Sequence, residues 1–193
     1  MKYPKQKNCW SCNAVNDYKS FFCKNCKKIQ EPIDVNEYDL FDLEKKYIIN
    51  LILLEKKYLD LQSLIHPDKF INTSEQEKNF SMIHSSQING AYNSLINNIS
   101  RANILLKILG YKDNSDDKSF DDHSILEEIM VLQNQCLLAE EFKKKSKIIA
   151  EIKLKISETL NDIDHSFKSK SLSVANRLNI KLSYLEKMNK SLK

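Results

Sequence analysis

Four of the five cysteines fall within the first 26 residues as two Cys-x2-Cys pairs, Cys9 with Cys12 and Cys23 with Cys26, ten residues apart. Each pair is a chelating knuckle, and the spacer lets the second fold back so that four thiolates surround one tetrahedral ion. Zinc is the first choice; rubredoxin-like iron and a pair of disulfides are the alternatives. No signal peptide precedes the cysteines and the rest of the chain is cysteine-poor, which weighs against disulfides. Four thiolates leave no open coordination position, so the ion is expected to be structural, folding a segment too short to bury a core alone. A redox role for the pairs would require reversible disulfide chemistry, which bound metal suppresses.

The second grouping is His66-Pro67-Asp68. A His and an Asp two positions apart around a rigid proline are held outward with little conformational freedom. No nucleophile, glycine-rich elbow or second metal cluster accompanies them, so no catalytic residues are expected. Taken alone, the tripeptide reads equally as a helix-terminating turn. Cys136 falls on an apolar stripe, which suits a buried thiol, and His84 suits an edge or core histidine.

Helices must position both groups. Leu51, Leu54, Tyr58, Leu61 and Ile65 recur at steps of three and four behind Asn50, predicting a capped amphipathic helix over 51–65 that Pro67 stops. A loop to about Thr73 follows, then a second helix from Ser74 or Glu75 with Phe80, His84, Ile88, Ala91 and Leu95 on one stripe. The two match as an antiparallel pair with the tripeptide at one end. Tyr38–Leu43 is a short helical prelude, and Arg101–Leu109 is helical and stops at Gly110. Beyond the polar linker at Lys112–Asp122, three periodic segments predict a three-helix bundle. Their stripes are Ile125, Ile129, Leu132 and Cys136, then Ile148, Ile152, Ile156 and Leu160, then Val174, Leu178, Leu182 and Leu185.

Composition narrows the chemistry. The 193 residues include only Gly90 and Gly110 as glycines and three prolines, which argues against an all-β fold and against a phosphate-cradling loop. No apolar run reaches the roughly 18 residues of a membrane span; Ile48–Leu54 is the longest and contains Asn50. Of the net charge of +4, residues 1–31 hold seven lysines against Asp17 and Glu31, and the remainder is nearly neutral. A basic zinc module with Trp10, Phe21 and Phe22 exposed would suit nucleic acid, the alternative function, but Arg101 and Arg177 are the only arginines.

Leu51–Ile65, His66-Pro67-Asp68-Lys69-Phe70 and Ile88-Asn89-Gly90-Ala91-Tyr92 resemble the second helix, the loop and the third helix of a J domain. Arg101-Ala102-Asn103-Ile104-Leu105-Leu106 and the C-terminal helices are similar to the HscB type, co-chaperones of iron-sulfur cluster assembly, and the tetracysteine segment resembles the extension of animal-type members. The resemblance implies an all-α chain with three domains: a zinc module over 1–31, a J domain over 37–110 and a scaffold-binding bundle over 121–193. It implies that His66, Pro67 and Asp68, with Lys56, Lys57 and Lys69, engage a heat-shock 70-kilodalton chaperone and stimulate its ATPase. It further implies that Leu126, Met130 and Tyr184 bind the cluster scaffold protein, of IscU type. Glu127 and Val131 depart from the usual choices in that patch. The expected compartment is the mitochondrial matrix, with the cytoplasm as the alternative because Met1–Asn8 is too short and Arg-poor for a transit peptide. No nucleic acid or membrane partner is expected, and self-association through the zinc module is left open.

Overall fold

The computed structural model describes residues 3–112, 123–138 and 142–191. They form two compact units: Met1–Lys45 with Ile49–Asn97, and Lys46–Ile48 with Asn98–Lys193. The tetracysteine segment thus shares a unit with the helical hairpin. The Arg101–Leu109 helix, grouped with the hairpin by its sequence, belongs to the second unit.

The first unit begins with antiparallel strands β1 (Gln6–Asn8) and β2 (Val15–Asp17), registered Gln6 to Asp17 and Asn8 to Val15. Between them the chain turns tightly. Cys9 N–H donates to the Ala14 carbonyl at 2.9 Å, Asn13 N–H donates to the Cys9 carbonyl at 3.0 Å, and Asn13 is left-handed with φ 61°. The second knuckle repeats this geometry. Cys23 N–H donates to Lys28 at 2.9 Å, Lys27 N–H donates to Cys23 at 3.0 Å, Lys27 has φ 62°, and Phe22 bridges to Ile29.

Helix α1 (Glu37–Leu40) is capped by Asn36, whose side chain accepts the Asp39 N–H at 3.0 Å. It is shorter than the expected prelude, because the chain turns left-handed at Asp42, φ 47°. Helix α2 (Leu51–Ile65) has the expected limits and cap: Asn50 Oδ1 accepts from Leu53 N–H at 3.0 Å. Pro67–Phe70 then forms one 3-10 turn, in place of a loop. Helix α3 (Glu75–Ile96) opens with a capping box between Ser74 and Glu77. The hairpin is antiparallel by its contacts. Ser81 Oγ donates to the Ile65 carbonyl at 2.7 Å, Gln62 Nε2 donates to Asn89 Oδ1 at 2.6 Å, and Tyr58 stacks on Tyr92 at 4.1 Å. Leu54, Ile65, His84, Ile88, Ala91 and Leu95 are buried as the stripes require, whereas Leu51, expected in the α2 stripe, is exposed.

The second unit contains α4 (Asn98–Ile108), α5 (His123–Leu138), α6 (Phe142–Lys168) and α7 (Leu172–Ser191). α4 ends in a Schellman motif at Gly110, φ 78°: Tyr111 N–H donates to Leu106 and Gly110 N–H to Lys107, at 2.9 and 3.1 Å. The bundle core joins Ile129 and Leu132 of α5, Ile152 of α6, and Leu185 and Met188 of α7, with Ile148 and Ile156 packed against it. On α7 the buried stripe is rotated from the expected one. Ala175 and Asn179 are buried and Val174 and Leu178 only partly so, because Asn179 Nδ2 reaches α4, donating to Asn103 Oδ1 at 2.7 Å. Tyr47 is fully buried here, with its carbonyl accepting from Arg101 Nε at 2.7 Å and its ring stacked on Phe167 at 5.7 Å.

Candidate functional site

The paired knuckles bring Cys9, Cys12, Cys23 and Cys26 together with their Sγ atoms all within 4.8 Å of one another. Cys9 and Cys26 are 3.6 Å apart and Cys12 and Cys23 are 3.7 Å apart, far beyond a disulfide bond of about 2.05 Å. A tetrahedral thiolate site with bonds of about 2.3 Å has edges of about 3.8 Å, so the cluster fits one ion of that size. The surrounding N–H groups favour thiolate. Burial opposes ionisation of Cys23, but the backbone N–H groups of Cys26 and Asn25 and the Asn16 amide hold its thiol down to about 6. Cys26 accepts an N–H from Lys28, yet burial and the neighbouring sulfurs push it up to about 11. Four thiolates at this spacing repel one another, and a bound cation relieves that repulsion.

Of the three aromatics expected to lie exposed beside the ion, Trp10 and Phe21 instead pack on α3. Trp10 meets Phe80 edge-on at 6.0 Å and Phe21 meets His84 at 5.1 Å. His84 is buried, with Nε2 donating to the Gln30 carbonyl at 2.9 Å, while Gln30 Nε2 donates to Cys9 Sγ at 3.4 Å. Gln30 and Asn16 are contributors that sequence reasoning missed, because a buried amide has no spacing signature.

Between the two helices of the hairpin, Pro67 occupies the first position of the 3-10 turn and Phe70 is buried beneath it. The turn therefore has a rigid entry and an apolar anchor, and between them His66 and Asp68 stay open, their side chains 54% and 79% exposed. His66 Nδ1 accepts the Asp68 N–H at 3.3 Å, which fixes the ring over the turn. Lys56 and Lys69 are exposed. Lys57 is turned back, donating to the Asp42 carbonyl at 2.9 Å with the Asp42 carboxylate at 3.7 Å.

On the bundle, Met130 and Tyr184 are open, 54% and 37% exposed, and the Lys187 ammonium lies 5.5 Å from the Tyr184 ring. The side chain of Leu126 lies outside the described residues, as does that of Cys136. Val131, which departs from the usual choice in that patch, and Ile180 are also exposed apolar residues. Glu128 locks α5 in place: one carboxylate oxygen takes Lys155 of α6 and the other Lys181 of α7, both at 2.6 Å. Adjacent Ile129 and Leu132 then point into the core, leaving Met130 and Val131 outward.

The HSCB C-terminal oligomerisation domain family matches residues 121–193. The iron-sulfur cluster co-chaperone protein HscB of Homo sapiens is 29% identical over 195 residues, covering 99% of this chain and 82% of that protein. The HscB homolog of Arabidopsis thaliana is 29% identical over 181 residues, covering 93% of this chain and 70% of that protein. The crystal structure of human HscB superposes with a TM-score of 0.87 at 27% identity and covers 96% of both chains. HscB from Vibrio cholerae shares the fold, with a TM-score of 0.72 at 23% identity over 82% of this chain and 95% of its own. A helical hairpin with its His-Pro-Asp turn, a tetracysteine cluster and a helical bundle accompany this likeness: the chain is similar over nearly its whole length to the HscB iron-sulfur cluster co-chaperones, and its residues 121–193 match their C-terminal domain.

Proposed function

We propose that the chain couples two partners by presenting two surfaces at once. The His66-Pro67-Asp68 turn, with Lys56 and Lys69 beside it, engages a heat-shock 70-kilodalton chaperone and stimulates its ATPase; ATP chemistry belongs to that partner. Leu126, Met130 and Tyr184 hold the iron-sulfur scaffold protein. Bringing both to one molecule raises the local concentration of client at the chaperone. The four cysteines hold one structural zinc ion, whose borderline-soft character suits thiolates and whose closed shell has no redox step. Homologues from mouse, human and Arabidopsis support work in an organelle, and the mitochondrial matrix is the compartment we assign.

The observation that carries this reading is the turn itself: a proline entry, a buried Phe70 anchor and two outward polar side chains with no reacting group between them. Such a device offers a partner a rigid polar surface to read. The decisive experiment measures chaperone ATPase with wild type and His66→Gln, with and without scaffold. Stimulation should vanish in the variant while scaffold binding persists. Equal stimulation by both proteins would remove the turn from the mechanism.

A further inference from the structure

The four sulfurs of the cluster are not equivalent. Cys9 and Cys23, the first cysteines of the two knuckles, are buried, Cys26 is half-buried and Cys12 is exposed. The two buried sulfurs are also the ones wrapped in sheltered N–H groups. Cys9 Sγ accepts the Ser11 N–H and the Gln30 amide, both at 3.4 Å. Cys23 Sγ accepts the Asn25 N–H at 3.4 Å and the Asn16 amide at 3.6 Å. Gln30 and Asn16 are themselves only 1% and 2% exposed, so water does not compete for these bonds. Cys26 takes the backbone N–H of Lys28. Cys12 Sγ meets the side-chain amide of Asn25 at 3.6 Å, and that amide is open to water. Bonds from N–H groups draw charge off a thiolate and lower its nucleophilicity, whereas solvent access exposes it to electrophiles. Cys12 is therefore the sulfur that an incoming electrophile meets first.

We propose that Cys12 is an oxidation site through which hydrogen peroxide discharges the tetracysteine centre, with Cys23 as the resolving thiol. The inference rests on the reading of the four cysteines as one zinc site. Cys12 Sγ attacks one peroxide oxygen; an S–O bond forms, the O–O bond breaks and hydroxide leaves, giving a sulfenic acid. Cys23 Sγ, 3.7 Å away on the other knuckle, then attacks the Cys12 sulfur, forming the S–S bond and expelling a second hydroxide. The two sulfurs give two electrons to the peroxide, and two protons from solvent turn the hydroxides into water. Cys9 and Cys26 remain as thiolates, too few to close a tetrahedral site, so the ion is released. Metal coordination slows this chemistry at the buried sulfurs, and the open edge is where it begins.

The test treats full-length, zinc-loaded protein with a small molar excess of hydrogen peroxide. Zinc released to a colorimetric chelator is followed beside peptide mapping by mass spectrometry, which also separates any reaction at Cys136. Zinc should leave in step with a Cys12–Cys23 linkage, and reduction with added zinc should restore the site. Under limiting N-ethylmaleimide, Cys12 should be the first of the four to be labelled. Because Cys12→Ser removes a ligand, Asn25→Ala is the informative variant: it strips the amide from Cys12 and keeps the backbone N–H on Cys23. It should hold zinc like the wild type and lose it to peroxide about threefold faster. The proposal is overturned if linkages form within the knuckles instead, if label reaches Cys9 or Cys23 before Cys12, or if Asn25→Ala releases zinc at the wild-type rate. It is equally overturned if peroxide leaves the zinc in place. Should elemental analysis find no zinc in the purified protein, the reading of the metal site fails first. Should zinc be bound and then released without a bond at Cys12, the inference alone is wrong.

Discussion

The Nε2 of His84 lies 2.9 Å from the carbonyl oxygen of Gln30, joining the middle of α3 to the segment that follows the second cysteine knuckle. The carbonyl can only accept, so Nε2 carries the proton. The Gln30 side chain meanwhile donates to Cys9 Sγ at 3.4 Å. One residue thus serves the sulfur cluster with its amide and the hairpin with its backbone.

Burial holds His84 below the ordinary histidine value, with the Gln30 carbonyl opposing that shift and Lys7 adding to it. The unfolded chain therefore takes up the proton first as pH falls, so His84 lowers stability progressively below about pH 6.5. Denaturant unfolding at pH 7.5 and 6.0 should show wild type losing more stability than His84→Ala between the two conditions. At pH 7.5 the variant should already be about 2–4 kcal/mol weaker, from the cavity and the orphaned carbonyl. Identical pH slopes in the two proteins would contradict the buried neutral ring.

Metal removal should be felt beyond the module. If an ion organises the four sulfurs, chelation frees Cys9, and with it the Gln30 link to α3. Hydrogen exchange with and without chelator should show lost protection around Ser81–Ile88, while α6, in the other unit, is unaffected. Unchanged exchange in α3 would mean that the module and the hairpin are energetically separate.

Which parts were legible in the sequence follows from where the information is local. α2 was readable to its last residue because Asn50, the Leu54-to-Ile65 period and Pro67 each act within a few positions. The cysteine cluster was readable because chelation fixes its own spacing. The β-turns of the knuckles were not, since their left-handed positions are filled by Asn13 and Lys27 and not by glycine. The rotation of the α7 stripe was equally hidden, because it depends on Asn179 finding Asn103 76 residues away. The partner surfaces were named through family resemblance; the openness of Cys12 beside buried Cys9 and Cys23 emerged only with the folded knuckles.

Gly90 offers a clean test of the hairpin's helix. It lies inside α3, is exposed, and a Cβ built there meets nothing within 4 Å. Gly90→Ala should therefore stabilise the protein by about 0.5–1 kcal/mol through lower unfolded-state entropy. A loss of stability in the denaturant midpoint would show that the position is crowded in solution.

Glu128 should show the opposite pH behaviour from His84. Burial raises its pKa, but the ammonium groups of Lys155 and Lys181 outweigh that and hold the carboxyl below its ordinary value. Its contribution is thus complete above the unfolded value of about 4.5 and is lost as pH falls through the folded one. The three side chains are partly solvated, so Glu128→Gln should cost only about 1 kcal/mol at pH 7. Exchange protection of α5 should fall in the variant at pH 7, and the gap to wild type should narrow as pH falls below about 4.5. A gap that persists at low pH would assign the effect to packing.

The two sides of α5 should separate binding from folding. Ile129 is 4% exposed within the bundle core, whereas Met130, the next residue, is 54% exposed. Ile129→Ala should cost about 2–5 kcal/mol of stability, because truncation leaves a cavity among Leu132, Ile152 and Leu185. Met130→Ala combined with Tyr184→Ala should change stability by less than about 1 kcal/mol yet weaken scaffold binding by tenfold or more, as expected when exposed anchors are lost from an interface. Calorimetric titration of scaffold into each folded variant measures the difference. Wild-type affinity in the double variant would move the scaffold site off this face, while strong destabilisation would place Met130 and Tyr184 in the core.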